Sequence, residues 1–281
     1  MKRTQSLRPR RLLLTLASPG VAVLLLFFLL PLGTVAWDAL GDPDSFRRVF
    51  ANPMFLRSLG GSAVLTLVAA TASLVVGFCV ALHLSRIGPR WRALLSFFIA
   101  LPLTFSGLIV AYGFILAYGR AGLVTQLLGL LGVDPAWFAG ILYSPQGLAF
   151  ATSYYLIPRV VMLMLPVLVN FDRTQLAAAE SLGATPREAL LHILLPQVRT
   201  TALTAFCLVA AVVFGAYGTA LALVGTRLTI LPLQLYSMVS ESGSDFPAAA
   251  ALALVLTGLC STVMAVGEVA AAYGERGGAR T

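Results

Sequence analysis

Six long apolar runs constrain the fold of this chain more than any other feature of its sequence. Each is long enough for a membrane-spanning helix, which needs roughly 20 apolar residues and satisfies its backbone polar groups internally. The runs lack the alternating polar face that the wall of a membrane β-barrel requires. They lie at about residues 14–37, 61–84, 93–118, 146–169, 201–224 and 248–271. The sequence therefore predicts an all-α, polytopic membrane bundle of six transmembrane helices.

Composition and charge indicate that lipid surrounds most of the chain. Of the 281 residues, 59% are hydrophobic and only 11% are charged, whereas a soluble domain carries about 25% charged residues. The net charge of +8 comes mostly from bases in short gaps between the apolar runs. Because these bases do not form a basic patch with stacking aromatic residues, nucleic-acid binding is disfavoured. We expect the lipid bilayer to be a partner and nucleic acid not to be one.

The positions of the basic residues predict the orientation in the membrane. With the amino terminus inside, most of the 19 Lys and Arg residues fall in inner segments, which is the bias of cytoplasmic loops. The basic segment 1–13 and the run after it resemble a signal peptide, but the run is too long and no A-x-A cleavage site closes it. We therefore predict a retained first helix and both termini in the cytoplasm.

The longest inner loop, residues 170–200, carries a defined local pattern. Its Ala-rich first part favours a helix, and Gly183 suits the left-handed residue that ends one. Thr185 is a natural N-cap, a proline fits the first helical turn, and Glu188 completes a capping box. The second helix is expected to end at Pro196. The loop is therefore predicted to be two short helices joined at a rigid, glycine-containing corner.

The spacing of small, apolar and proline residues in this loop matches a known signature. The matching positions are Ala178, Ala179, Gly183, Ile193, Leu195 and Pro196. They resemble the EAA signature of binding-protein-dependent ABC importer permeases, which reads E-A-A, three residues, G, nine residues, I-x-L-P. The first Glu of that signature is Ala177 here, and the nearest acid is Glu180, one helical turn further on. Either Glu180 substitutes for the missing carboxylate, or the contact depends mainly on packing.

The resemblance extends over about residues 59–271. The stretch 119–132 and the tripeptide Asp245-Phe246-Pro247 are similar to the subgroup that carries polyamines, phosphonates, ferric iron, sulfate or thiamine. The resemblance implies a MetI-like ABC permease fold. It assigns residues 14–58 to the first helix and an outer loop, 59–271 to the permease transmembrane domain, and 272–281 to a cytoplasmic tail.

By this resemblance, the chain is the permease subunit of an ABC importer in the bacterial inner membrane and moves a small polar solute. Its expected partners are two copies of an ABC ATPase, a second permease subunit that is identical or paralogous, and a periplasmic solute-binding protein. The sequence has no G-x-x-x-x-G-K-[ST] motif, so ATP hydrolysis is expected on the partner and the chain is not expected to be an enzyme. The residues expected to dock on the ATPase are Ala177, Ala178, Ala179, Glu180, Gly183, Thr185, Arg187, Glu188, Ile193, Leu195 and Pro196.

The solute pathway is predicted from polar residues within the apolar runs. Arg159 lies near the middle of the fourth run, where a charge is costly and usually functional, although its side chain can instead extend to the inner headgroups. The absence of mid-span Asp and Glu favours an anionic or neutral solute over a polyamine. Pro102 and Pro158 are expected to be pivots. The tyrosines that either line the pathway or pack between helices are Tyr112, Tyr154, Tyr155 and Tyr217.

Three other functions are weighed against the importer. A secondary transporter normally carries intramembrane acids and an internal repeat, and neither is evident. An intramembrane protease would need a base facing its nucleophile or an H-E-x-x-H helix, and both histidines lie at predicted cytoplasmic edges. A membrane scaffold is the third alternative. No pair of His or Cys residues has metal-ligand spacing, so neither a metal nor a cofactor is predicted.

Overall fold

The computed structural model describes residues 17–225, 228–240 and 245–278, with side chains described up to residue 273. The predicted basic segment 1–13, the first residues of the first run and the end of the predicted tail lie outside these ranges. Within them, every regular element is a helix, which confirms the all-α prediction. Six helical segments are long and apolar enough to cross a membrane, namely Ala17–Gly41, Pro53–Arg86, Gly107–Leu130, Pro145–Val169, Pro186–Phe214 and Phe246–Tyr273.

The helices are numbered in chain order. They are α1 (Ala17–Gly41), α2 (Ser45–Ala51), α3 (Pro53–Arg86), α4 (Pro89–Ala100), α5 (Gly107–Tyr118), α6 (Leu123–Leu130), α7 (Pro135–Leu142), α8 (Pro145–Val169), α9 (Thr174–Ser181), α10 (Pro186–Phe214), α11 (Tyr217–Leu223), α12 (Leu231–Ser240) and α13 (Phe246–Gly278). The described residues divide into two compact units: 17–52 with 237–255, and 53–236 with 256–278.

One arginine links separate segments of the smaller unit. The Arg48 Nε donates to Asp245 Oδ2 at 2.6 Å, and its Nη2 donates to Asp245 Oδ1 at 3.0 Å and to Asp42 Oδ2 at 2.6 Å. The hydrogen bond from Arg48 lowers the pKa of the Asp42 carboxyl. Because both carboxylates share one planar donor group, α2 is fastened to the residue that precedes α13.

The centre of the larger unit is the packing of α3 against α8. Most buried residues of α3 are small, and Gly77 allows a close approach to α8. A Cβ atom at Gly77 would lie 2.6 Å from Val160 Cβ and 3.2 Å from the Ile157 carbonyl oxygen. Leu156, Val160 and Val161 on α8 are fully buried. Such small-residue contacts replace the hydrophobic driving force that is missing between helices in lipid.

We expect Gly77→Leu to destabilise the bundle. The added side chain overlaps Val160, and overpacking of this kind typically costs about 1–3 kcal/mol or more. Gly60→Leu on the same helix is the matched control, because a Cβ at Gly60 meets nothing within 4 Å. Thermal unfolding of the two purified variants should separate them, with only Gly77→Leu showing a lower midpoint. Equal midpoints would contradict the packing described for α3 and α8.

Two of the predicted spans are interrupted. The run 93–118 was predicted as one helix, but α4 ends at Ala100 and a 3₁₀ turn, Leu101–Thr104, follows. Pro102 lies in this turn. It removes a backbone donor and disfavours a continued α-helix, and the chain becomes extended at Phe105 (ψ 143°) before α5 begins. Pro102 therefore lies at a break between helices, whereas Pro158 lies inside the continuous α8.

The second interruption falls in the run 201–224. Helix α10 ends at Phe214 and α11 begins at Tyr217. Between them, Ala216 has φ −75° and ψ 68°, and the Tyr217 N–H donates to the Gly215 carbonyl oxygen at 2.8 Å. This is an inverse γ-turn. Since both breaks lie within strongly apolar sequence, hydropathy gives no sign of them.

Candidate coupling site and solute pathway

The predicted corner in the loop 170–200 is present, and its geometry requires glycine. Helix α9 ends in a Schellman motif, in which the Gly183 N–H donates to the Glu180 carbonyl oxygen at 3.0 Å and the Ala184 N–H donates to that of Ala179 at 3.1 Å. The backbone of Gly183 has φ +95°. This left-handed conformation disfavours residues that carry a Cβ.

The helix that follows the corner begins with the predicted capping box. The Glu188 N–H donates to Thr185 Oγ1 at 3.3 Å, and the Thr185 N–H donates to Glu188 Oε2 at 2.8 Å. Pro186 occupies the start of the helix, as predicted. The N–H groups of Thr185 and Glu188 at the start of α10 are thus satisfied within four residues, which fixes the backbone directly after the corner.

The prediction that this second helix ends at Pro196 is wrong. The helix continues through a π-helical turn, Leu190–Leu194, into the fifth membrane span. In this turn the Leu195 N–H donates to the Leu190 carbonyl oxygen, five residues back. Pro196 has no N–H to donate, and a π-turn is a common way for a helix to absorb such a disruption. As a result, one helix runs from the loop corner into the membrane.

We call α9, the Gly183 corner and the first part of α10, up to Pro196, the elbow. The predicted docking residues are distributed along it. Ala177, Ala178, Glu180 and Arg187 are exposed on it. Thr185 and Glu188 are exposed but bonded to each other, while Ile193, Leu195 and Pro196 lie beyond the corner in the π-turn and just after it. The structure thus groups the residues up to Glu188 at the corner and places the last three closer to the membrane helix.

Sequence reasoning missed three residues of this elbow. Leu182, at its tip, is 89% exposed. Gln197 Nε2 donates to Gln175 Oε1 at 2.6 Å, which connects α9 to α10. The position of Leu182 directly before Gly183 could have been used as a signal, but the pairing of the two glutamines depends on the fold.

The predicted pathway residues do not form one cluster. Tyr155 is buried, and its hydroxyl lies 3.4 Å from Thr219 Oγ1 on α11. Tyr154 packs its ring against Phe114 at 5.5 Å, and Tyr217 packs against Tyr236 at 5.2 Å. Tyr112 is exposed on α5.

Arg159 is half-buried on α8, one helical turn after Tyr155. No hydrogen bond or ion pair joins it to another residue within the described ranges. A guanidinium in a membrane bundle normally faces the interior or an aqueous cavity and interacts with a counter-charge. Among the residues that the structure describes, no three His, Cys, Asp or Glu side chains cluster as metal ligands.

Comparison with known proteins places the chain in a family. The model of the family described as binding-protein-dependent transport system inner membrane component matches residues 73–271. The chain belongs to this family. It is accordingly a multi-pass permease of the inner membrane, and the family assignment favours the importer over a secondary transporter or a scaffold.

Several members of the permease family are similar to this one in sequence. The sulfate transport system permease protein CysW of Synechocystis sp. is 26% identical over 245 residues, which cover 86% of this permease and 87% of the relative. Sulfate permease 2 of Chlamydomonas reinhardtii is 29% identical over 212 residues, covering 74% of this permease and 56% of the relative. The permease PotB of the spermidine/putrescine transport system of Escherichia coli is 28% identical over 153 residues, covering 54% of this permease and 55% of the relative.

A solved structure shares the fold of this permease. It is a bacterial alginate ABC transporter in complex with an alginate-bound periplasmic protein, and one of its chains superposes with a TM-score of 0.74. The match covers 92% of this permease and 93% of that chain at 16% identity. At this identity the similarity supports the fold of the permease and no finer property.

Proposed function

We propose that this permease carries a small anion inward and is driven by ATP hydrolysis on separate ATPase subunits that bind the elbow of α9 and α10. In this proposal, a second permease subunit completes the pathway and a periplasmic binding protein delivers the solute. The chain itself makes and breaks no covalent bond. The observation that carries the proposal is the continuity of α10 from the Gly183 corner into the fifth membrane span.

The elbow has the properties that force transmission requires. Its corner is fixed by a Schellman motif on one side and a capping box on the other, so it can move as a rigid body. Its tip presents Leu182, with Ala178 and Glu180 also exposed on α9, as an apolar surface with one carboxylate. Such a surface suits insertion into a cleft on a partner protein, and Glu180 supplies the acid that Ala177 lacks.

The mechanism follows from this connection. When ATP closes the ATPase pair, the two docked elbows move with it, and each α10 carries the displacement into the bilayer. The γ-turn at Ala216 separates α10 from α11, so the two helices can change their relative angle. The breaks at both interrupted spans therefore provide pivots for alternating access.

The half-buried Arg159 supports an anionic solute. Its charge has no counter-charge within the described residues, so an anion that passes along α8 would supply one. The names of the relatives span sulfate and spermidine/putrescine transport, so the sequence similarity alone leaves both classes open. We favour a sulfate-like oxyanion over a polyamine, because a polyamine would be repelled by Arg159.

Purification from native membranes tests the proposal. An ATPase should co-purify with the intact permease. Proteoliposomes of the complex, supplied with its periplasmic binding protein, should take up labelled sulfate only when ATP is present on the side of the membrane that carries the ATPase. Labelled putrescine, tested in parallel, should not accumulate. Putrescine uptake without sulfate uptake would overturn the anion assignment, and the absence of any associated ATPase would overturn the importer mechanism.

A further inference from the structure

The cytoplasmic end of α3 is bound by two arginines that come from different parts of the chain. Arg92 on α4 donates to the Leu84 carbonyl oxygen at 3.0 Å and to that of Ile87 at 2.9 Å. Arg173 donates through Nη2 to the Ser85 carbonyl oxygen at 2.6 Å and to Ser85 Oγ at 3.3 Å. The last carbonyls of a helix lack intrahelical donors and favour cations.

The two arginines differ in what they connect. Arg92 lies only a few residues beyond the end of α3 and closes the turn between α3 and α4. Arg173 lies 88 residues after Ser85 in sequence and is the residue that directly precedes α9. Because Arg92 also donates to the Ser85 carbonyl oxygen, at 3.3 Å, the end of α3 remains capped if Arg173 is removed. Arg173 therefore connects α3 with the elbow rather than completing the helix.

Leu176 is the apolar side chain of α9 that packs, partly buried, against the core of the larger unit, and polar bonds add to this contact. No residue of α9 is buried. A cavity of about 310 Å³ lies beside α9, lined among others by Leu82 and Phe171 from the larger unit. The Arg173–Ser85 bond fastens the start of α9 to α3, and the Gln175–Gln197 bond fastens it to α10.

Helix α3, which Arg173 joins to the elbow, also packs beside Arg159 of the proposed solute pathway. Helix α3 is in close contact with α8 at Gly77 and Val160, and Val160 directly follows Arg159. Tightly packed helices slide or tilt together rather than deform. A displacement of α9 that is passed to α3 will therefore also reach the half-buried guanidinium of Arg159.

We propose that Arg173 is a positioning residue that transmits movement of α9 to α3, as a second route beside the continuous helix α10. This proposal rests on the proposed function, in which an ATPase docks on α9. Arg173 touches neither the solute nor the nucleotide in this scheme. Through its hydrogen bonds to Ser85, Arg173 makes the end of α3 move together with the elbow.

Hydrogen–deuterium exchange on the intact transporter complex tests this route without knowledge of the solute. The complex is compared without nucleotide and after trapping with Mg-ATP and vanadate. In the native complex, trapping should change exchange both in α9 and at residues 80–86 of α3. In Arg173→Gln, the change in exchange on trapping should persist in α9. At residues 80–86 of α3, the same change should fall by about tenfold, as expected for loss of a charged hydrogen bond.

Two further variants separate transmission from general damage. Arg92→Gln removes the local cap and should leave the α3 response to trapping in place. Arg173→Lys keeps a charged donor and should recover part of the response. An unchanged α3 response in Arg173→Gln would overturn the proposal while the proposed function stands.

If Arg173→Gln fails to accumulate in the membrane, hydrogen–deuterium exchange of the native complex still tests both proposals. An α9 response without any response at residues 80–86 would overturn the role of Arg173. No protection of α9 by the ATPase would instead overturn the proposed function itself.

Discussion

Gly183→Leu is expected to reduce ATP-driven uptake severely while the protein still inserts into the membrane. Gly183 has φ +95°, and the left-handed conformation costs an L-residue about 1–2 kcal/mol, with a further loss if the Schellman bonds open. A Cβ at this position meets no atom within 4 Å, so the substitution acts on the angle of the corner and not through a clash. Uptake by proteoliposomes should fall by at least about tenfold, since about 1.4 kcal/mol corresponds to that factor.

Gly132→Leu is a closely matched control for this experiment. Gly132 has φ +87°, and a Cβ at this position would also meet no atom within 4 Å. It ends α6 with the same pair of Schellman hydrogen bonds as Gly183. The Gly132 N–H donates to the Gly129 carbonyl oxygen and the Val133 N–H donates to the Leu128 carbonyl oxygen, both at 3.1 Å. It belongs to a loop predicted on the opposite face of the membrane. Gly132→Leu should keep uptake within about twofold of the native rate. Equal losses in both variants would mean that strain in any corner damages the protein and that the Gly183 corner has no special role.

Arg159→Ala is expected to reduce sulfate uptake by about tenfold or more without releasing the ATPase. The guanidinium is half-buried and has no counter-charge within the described ranges, so its removal takes away an attraction for the anion in a region of low dielectric constant. Arg159→Lys should retain part of the uptake because the charge remains. The measurement is the initial rate of labelled sulfate entry at saturating ATP.

Arg90→Ala provides the control for the change in net charge, because Arg90 is exposed at the start of α4. This variant should transport at the native rate. If Arg159→Ala also transports normally, the side chain extends to the inner headgroups and the anion is attracted elsewhere.

The parts of this structure that the sequence predicted are those set by local chemistry. A run of apolar residues is sufficient to indicate a membrane helix, and this signal predicted the number of spans, six, although the third and fifth have other bounds in the structure. The capping box at Thr185 and Glu188 and the left-handed Gly183 involve residues no more than five apart, so their side chains and backbone groups specify them directly.

The interruptions within the spans were not predictable from hydropathy. The 3₁₀ turn at Pro102 and the γ-turn at Ala216 leave the residues apolar, and apolar content is all that a hydropathy profile records. Proline is tolerated inside one span, at Pro158, and ends a helix in another, at Pro102. The difference depends on whether neighbouring groups satisfy the freed carbonyl, which is a property of the packed bundle.

The contacts that hold the elbow in place required the fold as well. By sequence alone, Arg173 is one of the basic residues of the inner segments that indicate membrane orientation, yet in the fold it binds Ser85 across 88 residues of chain. Likewise, the two glutamines that join α9 to α10 become partners only because α10 continues past Pro196. Residues with ordinary local surroundings thus acquire their roles from tertiary structure.

Photo-crosslinking from the tip of the elbow is the most direct test of its role in coupling. A photoreactive residue in place of Leu182, which is 89% exposed beside Gly183, should crosslink to the ATPase in native membranes. The same residue in place of Leu131, which is 79% exposed beside Gly132, should not. If position 182 yields no ATPase adduct, or reacts only with proteins on the periplasmic side, the elbow is not the site where ATP hydrolysis is coupled to transport.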